Sequence, residues 1–300
     1  MCKVKSNWKA GDKMSITYKY FEGENVLALQ YDFWRKITST LPFAWKPTMS
    51  PILFKEQKEF DPRSRCFAYE GDDLIGYMSF TGKGDFVSLG YPWVLSGYEG
   101  IQDELFERVY GFAVSDEYGG RILAQRFREQ WKDQILYFEA KGFEITNESK
   151  LIGKYLSKVE STEDNIEFSW KVSNEFIFED WRSIMEENDE VNEAQIKMME
   201  EYYSSVDFDF SISFFNEEQM IGVMGVTLRE DTNYSEVLSF GILQEFKIHK
   251  GKMICVLMNE ARSRGAETII FHASDIPEGD IQKELGLSEL TKDVMMVKEV

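Results

Sequence analysis

Histidine and cysteine are scarce in this 300-residue chain, which has two of the first and three of the second. Cys2, Cys66 and Cys255 lie far apart without paired metal-ligand spacing, so neither a disulfide framework nor a zinc site is expected. His249 and His272 come with no G-x-S-x-G run, and Gly82-Lys83-Gly84-Asp85 is too short for a Walker turn. Hydrolase triads and nucleoside triphosphatases are therefore disfavoured. No stretch approaches the roughly 20 consecutive apolar residues of a membrane span. Met1-Cys2-Lys3-Val4-Lys5 also lacks the apolar run of a signal peptide, so a soluble, cytoplasmic protein is expected. Basic charge is short too: 34 Lys and Arg stand against 53 Asp and Glu, a formal net charge of −19. Nucleic acid is a poor partner for such a surface, because its phosphates need basic neutralisation. A cationic or amine substrate suits the field, and solubility alone would also account for it.

What is present is a large core-forming fraction, 43% apolar, in a chain long enough for two domains. Met14–Tyr20 alternates as a strand, and 25–39 carries helical spacing at Val26, Leu27, Leu29, Phe33 and Trp34. A second helical piece is expected around 52–60. A hairpin follows: 65–69, a turn at Glu70-Gly71-Asp72-Asp73, then 74–81, with 86–94 continuing the meander. From Ile101 a helix runs to a stop at Gly119-Gly120. Strand 121–127, a helix from about Glu129 to Gly142-Phe143, and a closing strand 150–158 complete this half. The polar segment 160–165 reads as a linker, giving domains 1–159 and 160–300.

Beyond the linker the pattern restarts. Strand 166–172, helices 178–187 and 192–203, a hairpin 208–228, strand 237–243, helix 253–264, strand 268–273 and a short helix 280–285 repeat the earlier order. Ile75-Gly76-Tyr77-Met78-Ser79-Phe80-Thr81 and Ile221-Gly222-Val223-Met224-Gly225-Val226-Thr227 share four of seven residues at an offset of 146, and the helix stops Gly119 and Gly265 keep that offset. Constant spacing across hairpin and helix stop indicates duplication.

The order of elements, with Gly100-Ile101 opening a helix and Tyr137-Phe138-Glu139-Ala140-Lys141-Gly142-Phe143 closing the half, resembles the GNAT (N-acetyltransferase) superfamily, in a two-copy arrangement like that of the mycothiol synthases. The implied fold is α/β (α+β): two tandem GNAT-like domains, each a mixed, largely antiparallel sheet flanked by helices. The family turn (Q/R)-x-x-G-x-(G/A) falls on Gly97, Tyr98, Glu99, Gly100, Ile101 and Gln102, where only the central glycine matches. In the second half the six positions are Glu245, Phe246, Lys247, Ile248, His249 and Lys250, and none matches.

The resemblance implies acetyl-CoA as acyl donor and transfer to an amine of a small molecule or peptide by direct attack. Trp93, Val94 and Leu95 would face the pantetheine arm, and Glu99, Gly100, Ile101 and Gln102 would offer amides to the phosphates. A side chain at Gly100 would block close approach, and Glu99 would have to point away. The family's tyrosine slot holds Phe138 in the first half and Gln282 in the second, so Tyr137, immediately before Phe138, and Tyr91 are the candidate catalytic residues. Asp85, Tyr91 and Glu99 are candidate bases. Lys247, His249, Lys250 and Lys252 collect before the second copy's helix, a place that the helix dipole makes unfavourable for cations without an anion. The other reading is a noncatalytic acyl-CoA-binding or protein-interaction module built from two degenerate copies.

Overall fold

The computed structural model describes residues 15–46, 60–83, 85–157 and 167–300. The expected helix at 52–60 and the linker at 160–165, with the domain boundary placed there, lie outside the described residues. The described residues fall into two compact units, one made of 15–37, 60–83, 85–123 and 299–300, the other of 38–46, 124–157 and 167–298.

In the first unit, β1 (Ile16–Tyr20) pairs with β2 (Arg65–Glu70), and β2 with β3 (Asp73–Lys83), all antiparallel. The hairpin forms where the sequence asked for it, with Gly71 at φ +62° in the turn. The next strand comes in two pieces on β3. Phe80 is opposite Leu89 in β4 (Phe86–Leu89), and Tyr77 is opposite Trp93 in β5 (Trp93–Val94). Three steps along β3 face four on the other strand, which is a bulge of one residue. Gly90 sits in it because a Cβ there would come within 2.5 Å of the Ser79 carbonyl oxygen, to which the Gly90 N–H donates at 2.7 Å. Helix α1 (Glu24–Thr38) and helix α2 (Gln102–Ala113) contribute buried Leu27, Phe33, Leu105, Phe106 and Val109. Each such side chain is worth roughly 1.5–3 kcal/mol when fully buried.

The second unit carries the sheet order β6-β13-β7-β12-β11-β10-β9-β8. Its strands are β6 (Ile122–Arg128), β7 (Glu144–Tyr155), β8 (Ser169–Ser173), β9 (Phe210–Asn216), β10 (Gln219–Arg229), β11 (Tyr234–Ile242), β12 (Thr268–His272) and β13 (Ser288–Glu299). Its helices are α3 (Lys132–Ala140), α4 (Phe178–Glu187), α5 (Glu193–Ser204), α6 (Lys250–Ser263) and α7 (Asp280–Leu285). The closing strand of the first repeat, expected at 150–158, is the longer β7, and it lies between β12 and β13. Strand β13, which ends the second repeat, lies between β7 and β6. Each repeat thus sends its last strand beside the other's. The core is built where Met253, Ile254, Leu257, Met258 and Ala261 of α6 and Trp181 and Ile184 of α4 meet the alternating apolar residues of β10, β11 and β12.

Candidate functional site

In the first repeat, the bulged strand runs into a turn tied down residue by residue. The Leu95 N–H donates to Ile75 O at 2.8 Å, Tyr98 N–H to Leu95 O at 3.0 Å, and Ile101 N–H to Tyr98 O at 3.0 Å. The Tyr98 hydroxyl donates to Glu70 Oε2 at 2.5 Å, anchoring the turn to the end of β2. Gly97 has φ +92°, a left-handed conformation that favours glycine. Gly100 does not have that conformation, and a Cβ there would meet nothing within 4 Å. The fold itself therefore does not require glycine at 100.

Glu99 is the surprise in this turn. Both of its carboxylate oxygens accept the Gly97 N–H, each at 3.0 Å. Gly97 N–H first, and the Glu99 N–H second, hold this exposed carboxyl below the usual carboxylate range. Gln102, at the start of α2, turns back across the strand: Nε2 donates to the Tyr91 hydroxyl at 2.9 Å and to Pro92 O at 3.1 Å. Tyr91 and Trp93 are buried with ring centroids 4.7 Å apart, and Ile101 is buried beside them in sequence. Val94 is opposite Gly76. Tyr91, Trp93, Val94, Leu95, Glu99, Gly100, Ile101 and Gln102 thus form one continuous stretch of the first unit. Tyr137 is on α3 of the second unit, half-buried, with Lys141 Nζ 5.5 Å from its ring centroid. Asp85 is exposed, and its backbone carbonyl accepts the N–H groups of Arg121 and Ile122.

The second repeat builds the same device. Leu243 N–H donates to Ile221 O at 2.9 Å and Phe246 N–H to Leu243 O at 2.9 Å, matching Leu95 and Tyr98 at an offset of 148. Gln244–His249 forms a 3-10 turn, as Glu99–Ile101 does, and α6 starts at Lys250 where α2 starts at Gln102. Gly225 is opposite Ser239 and Val226 opposite Val237, which leaves Leu238 as the bulge.

Here the neighbouring strand is visible as well. Strands β11 and β12 run parallel only from Tyr234 to Glu236 and from Thr268 to Ile270, after which β11 continues alongside β10 to Ile242. Buried polar groups gather where the two part. Glu236 Oε2 accepts Arg128 Nη2 at 2.7 Å and the Tyr234 hydroxyl at 3.2 Å, whereas Oε1 is buried without a partner. Burial works to raise the Glu236 pKa, but Arg128, then Arg126 and His272, bring it below the usual value. Tyr203 donates to Leu238 O at 3.3 Å, and Asn188 bridges Ile242 O and the Gln244 N–H at 2.9 Å each. Lys250 Nζ lies 4.8 Å from the Phe240 ring centroid and donates to Asp275 O. Burial lowers the Lys250 pKa and raises that of Asp275.

Sequence reasoning passed over Glu236. It falls one residue before the strand expected at 237–243, and a lone carboxylate there belongs to no motif. The basic residues of the second turn have partners of their own, with Lys247 Nζ 3.1 Å from Glu190 Oε1 and His249 Nε2 3.9 Å from Glu167 Oε2. Among the described residues no cluster of three or more His, Cys, Asp or Glu is arranged to hold a metal, and no helix is long and apolar enough to cross a membrane.

Two strand-bulge-turn-helix units in one chain invite comparison with known structures. The sequence matches no known family and no curated protein. Solved structures do match. A tandem GNAT protein from the clavulanic acid biosynthesis pathway is 11% identical with a TM-score of 0.64, covering 95% of this chain and 98% of its own. The fold is that of a tandem GNAT protein. A GNAT-family acetyltransferase from Colwellia psychrerythraea (11% identity, TM-score 0.57, covering 95% of this chain and 100% of its own) shares the GNAT fold. So does a GCN5-related N-acetyltransferase from Sphaerobacter thermophilus (9% identity, TM-score 0.53, covering 95% of each chain). The expected mixed sheet flanked by helices is present.

The residues of the first turn fit the phosphates of acetyl-CoA in kind. Its Gly97 amide already takes an anion, the Glu99 carboxylate, and Gly100 leaves the backbone uncovered, whereas the Ile101 and Gln102 amides donate to Tyr98 O and Glu99 O.

Proposed function

We propose that this chain is an N-acyltransferase that moves an acetyl group from acetyl-CoA to an amine of a small molecule or peptide by direct attack. The observation that carries the reading is the twice-built bulge, turn and uncapped helix start, with the same hydrogen bonds from Leu95 and Leu243. A fold alone hosts many functions, so the case rests on this local construction.

Bound acetyl-CoA supplies an acyl group activated as a thioester. Trp93, Val94 and Leu95 line the arm, and Glu99 and Gly100 offer amides to the phosphates; Ile101 and Gln102, expected beside them, donate their N–H groups to Tyr98 O and Glu99 O instead. In the transfer the amine nitrogen forms the new C–N bond, the C–S bond breaks, one amine proton leaves to a base, and the thiolate takes up a proton. The hydroxyl proposed to deliver that proton is that of Tyr137, and Tyr91 is proposed among the groups that take the amine proton. The acidic field of the chain, −19 overall, favours a cationic acceptor.

A specific observation favours the second reading, a noncatalytic acyl-CoA-binding or interaction module. The residues in the tyrosine slots are committed to structure: Phe138 is fully buried against Phe127 and Phe143, and Gln282 Nε2 donates to Ile276 O at 2.7 Å. Thermal stabilisation by acetyl-CoA, measured beside thiol release with a panel of amines, separates the two. Turnover supports the enzyme, binding without turnover supports the module, and the absence of any shift removes both.

A further inference from the structure

The two turns differ in charge at equivalent places. At the offset of 148 fixed by their hydrogen bonds, Glu99 corresponds to Lys247 and Gln102 to Lys250. Where the second turn has lysines, the first has a carboxylate folded back on its own backbone. That carboxylate accepts the Gly97 N–H through both oxygens. Other acids stand close by: Asp103 and Glu104 are in the first turn of α2, and Glu70 holds the Tyr98 hydroxyl. Glu104 has a counter-ion in Arg108, at 2.6 Å.

We propose that the Glu99 carboxylate is a built-in competitor for the pyrophosphate of acyl-CoA at the first turn, folded back on the Gly97 N–H so that its charge lies in the turn assigned to the phosphates. The inference rests on the reading of this turn as the phosphate seat and adds the residue that closes it. A carboxylate and a phosphate ask for the same thing, backbone N–H groups, and the carboxylate held by the Gly97 N–H also faces its own Glu99 N–H, one of the amides assigned to the phosphates. Even displaced, a carboxylate within a few ångströms repels the incoming charge, and at physiological salt that repulsion extends over about 8 Å. Gly100 keeps the approach open, while Glu99 keeps the seat filled. The lysine at the corresponding place in the second turn can make no such bond, since its ammonium has only donors.

The test is isothermal titration of the full chain with CoA and with inorganic pyrophosphate. The variants are Glu99→Ala, Glu99→Lys, and Glu99→Ala combined with Gly100→Glu. The exposure of Glu99 makes the single variants safe for folding, which thermal melting checks. The expected result is that Glu99→Ala tightens both probes by about tenfold, the size of one charge-assisted hydrogen bond, and Glu99→Lys by more. The added Gly100→Glu cancels the gain, which places it at this turn. Wild-type protein that binds CoA with an affinity unchanged or weakened in Glu99→Ala overturns the competition and leaves the acyl-CoA reading standing. No binding by the wild type or by any variant overturns both.

Discussion

Arg128 and Glu236, 108 residues apart in sequence, meet with Nη2 2.7 Å from Oε2, and neither side chain is more than 2% exposed. The same guanidinium holds Asp293 Oδ1 through Nη1 at 2.5 Å and donates from Nε to Phe43 O at 3.0 Å. One cation thus neutralises carboxylates from β11 and β13 and satisfies a backbone carbonyl.

Removing that cation takes away the nearest counter-ion of two buried carboxylates and leaves Arg126, 3.4 Å from Asp293 Oδ2, as the cation beside them. Arg128→Ala is expected to cost about 3–5 kcal/mol, the usual penalty for breaking a buried ion pair from one side. Urea unfolding of the two proteins measures it. A loss below about 1 kcal/mol would mean that water reaches the carboxylates, as at a surface pair.

Glu236 also sets an acid limb. Its folded pKa is depressed, with burial opposing and Arg128, Arg126 and His272 prevailing. The stability it contributes is therefore fully present above its unfolded value of about 4.3 and is lost as pH falls through the lower folded value. Asp275, raised by burial, acts in the opposite sense. In the Asp275→Asn background, Glu236→Gln is expected to flatten the fall of unfolding free energy below about pH 4.3. An unchanged slope would remove Glu236 from the acid limb.

The proton donor has a kinetic signature. Replacing the tyrosine that protonates the leaving thiolate by phenylalanine is expected to lower kcat about a hundredfold or more, with little change in the KM for acetyl-CoA. Tyr137→Phe is the variant to measure, with Tyr91→Phe, which removes a candidate base, beside it. A rise in KM alone for Tyr91→Phe would assign Tyr91 to holding Gln102 rather than to proton transfer.

Gly100→Glu addresses the turn. Because a Cβ at 100 meets nothing within 4 Å, the melting temperature is expected to stay unchanged while acetyl-CoA affinity drops at least tenfold. Equal affinity in calorimetry would move the phosphate seat away from this turn.

Much of the scaffold was legible because its cues are local. The shared Ile-Gly-x-Met-x-x-Thr run marked both hairpins, and the run from Phe86 to Val94 read as the strand that continues the meander. The observed repeat offset is 146 at the hairpins and 148 at the turns, which supports the sequence alignment of Gly97–Gln102 with Glu245–Lys250. What was not legible depends on distant partners. Nothing in residues 144–155 says that β7 will lie between β12 and β13, because a duplicated strand suits either repeat equally. Glu236 was overlooked for the same reason, since its partner Arg128 belongs to the other repeat. Glu99 was legible as a misfit beside a phosphate, but the return of its side chain to the Gly97 amide depends on turn dihedrals that residue types do not specify.

The most direct measurement of the central claim is acetyl-CoA-dependent thiol release across a panel of primary amines, with mass spectrometry of the acceptor. The prediction is one equivalent of free CoA thiol for each acetyl group gained by an amine, a yield reduced by Gly100→Glu. Folded protein that binds acetyl-CoA yet transfers nothing to any amine would contradict it.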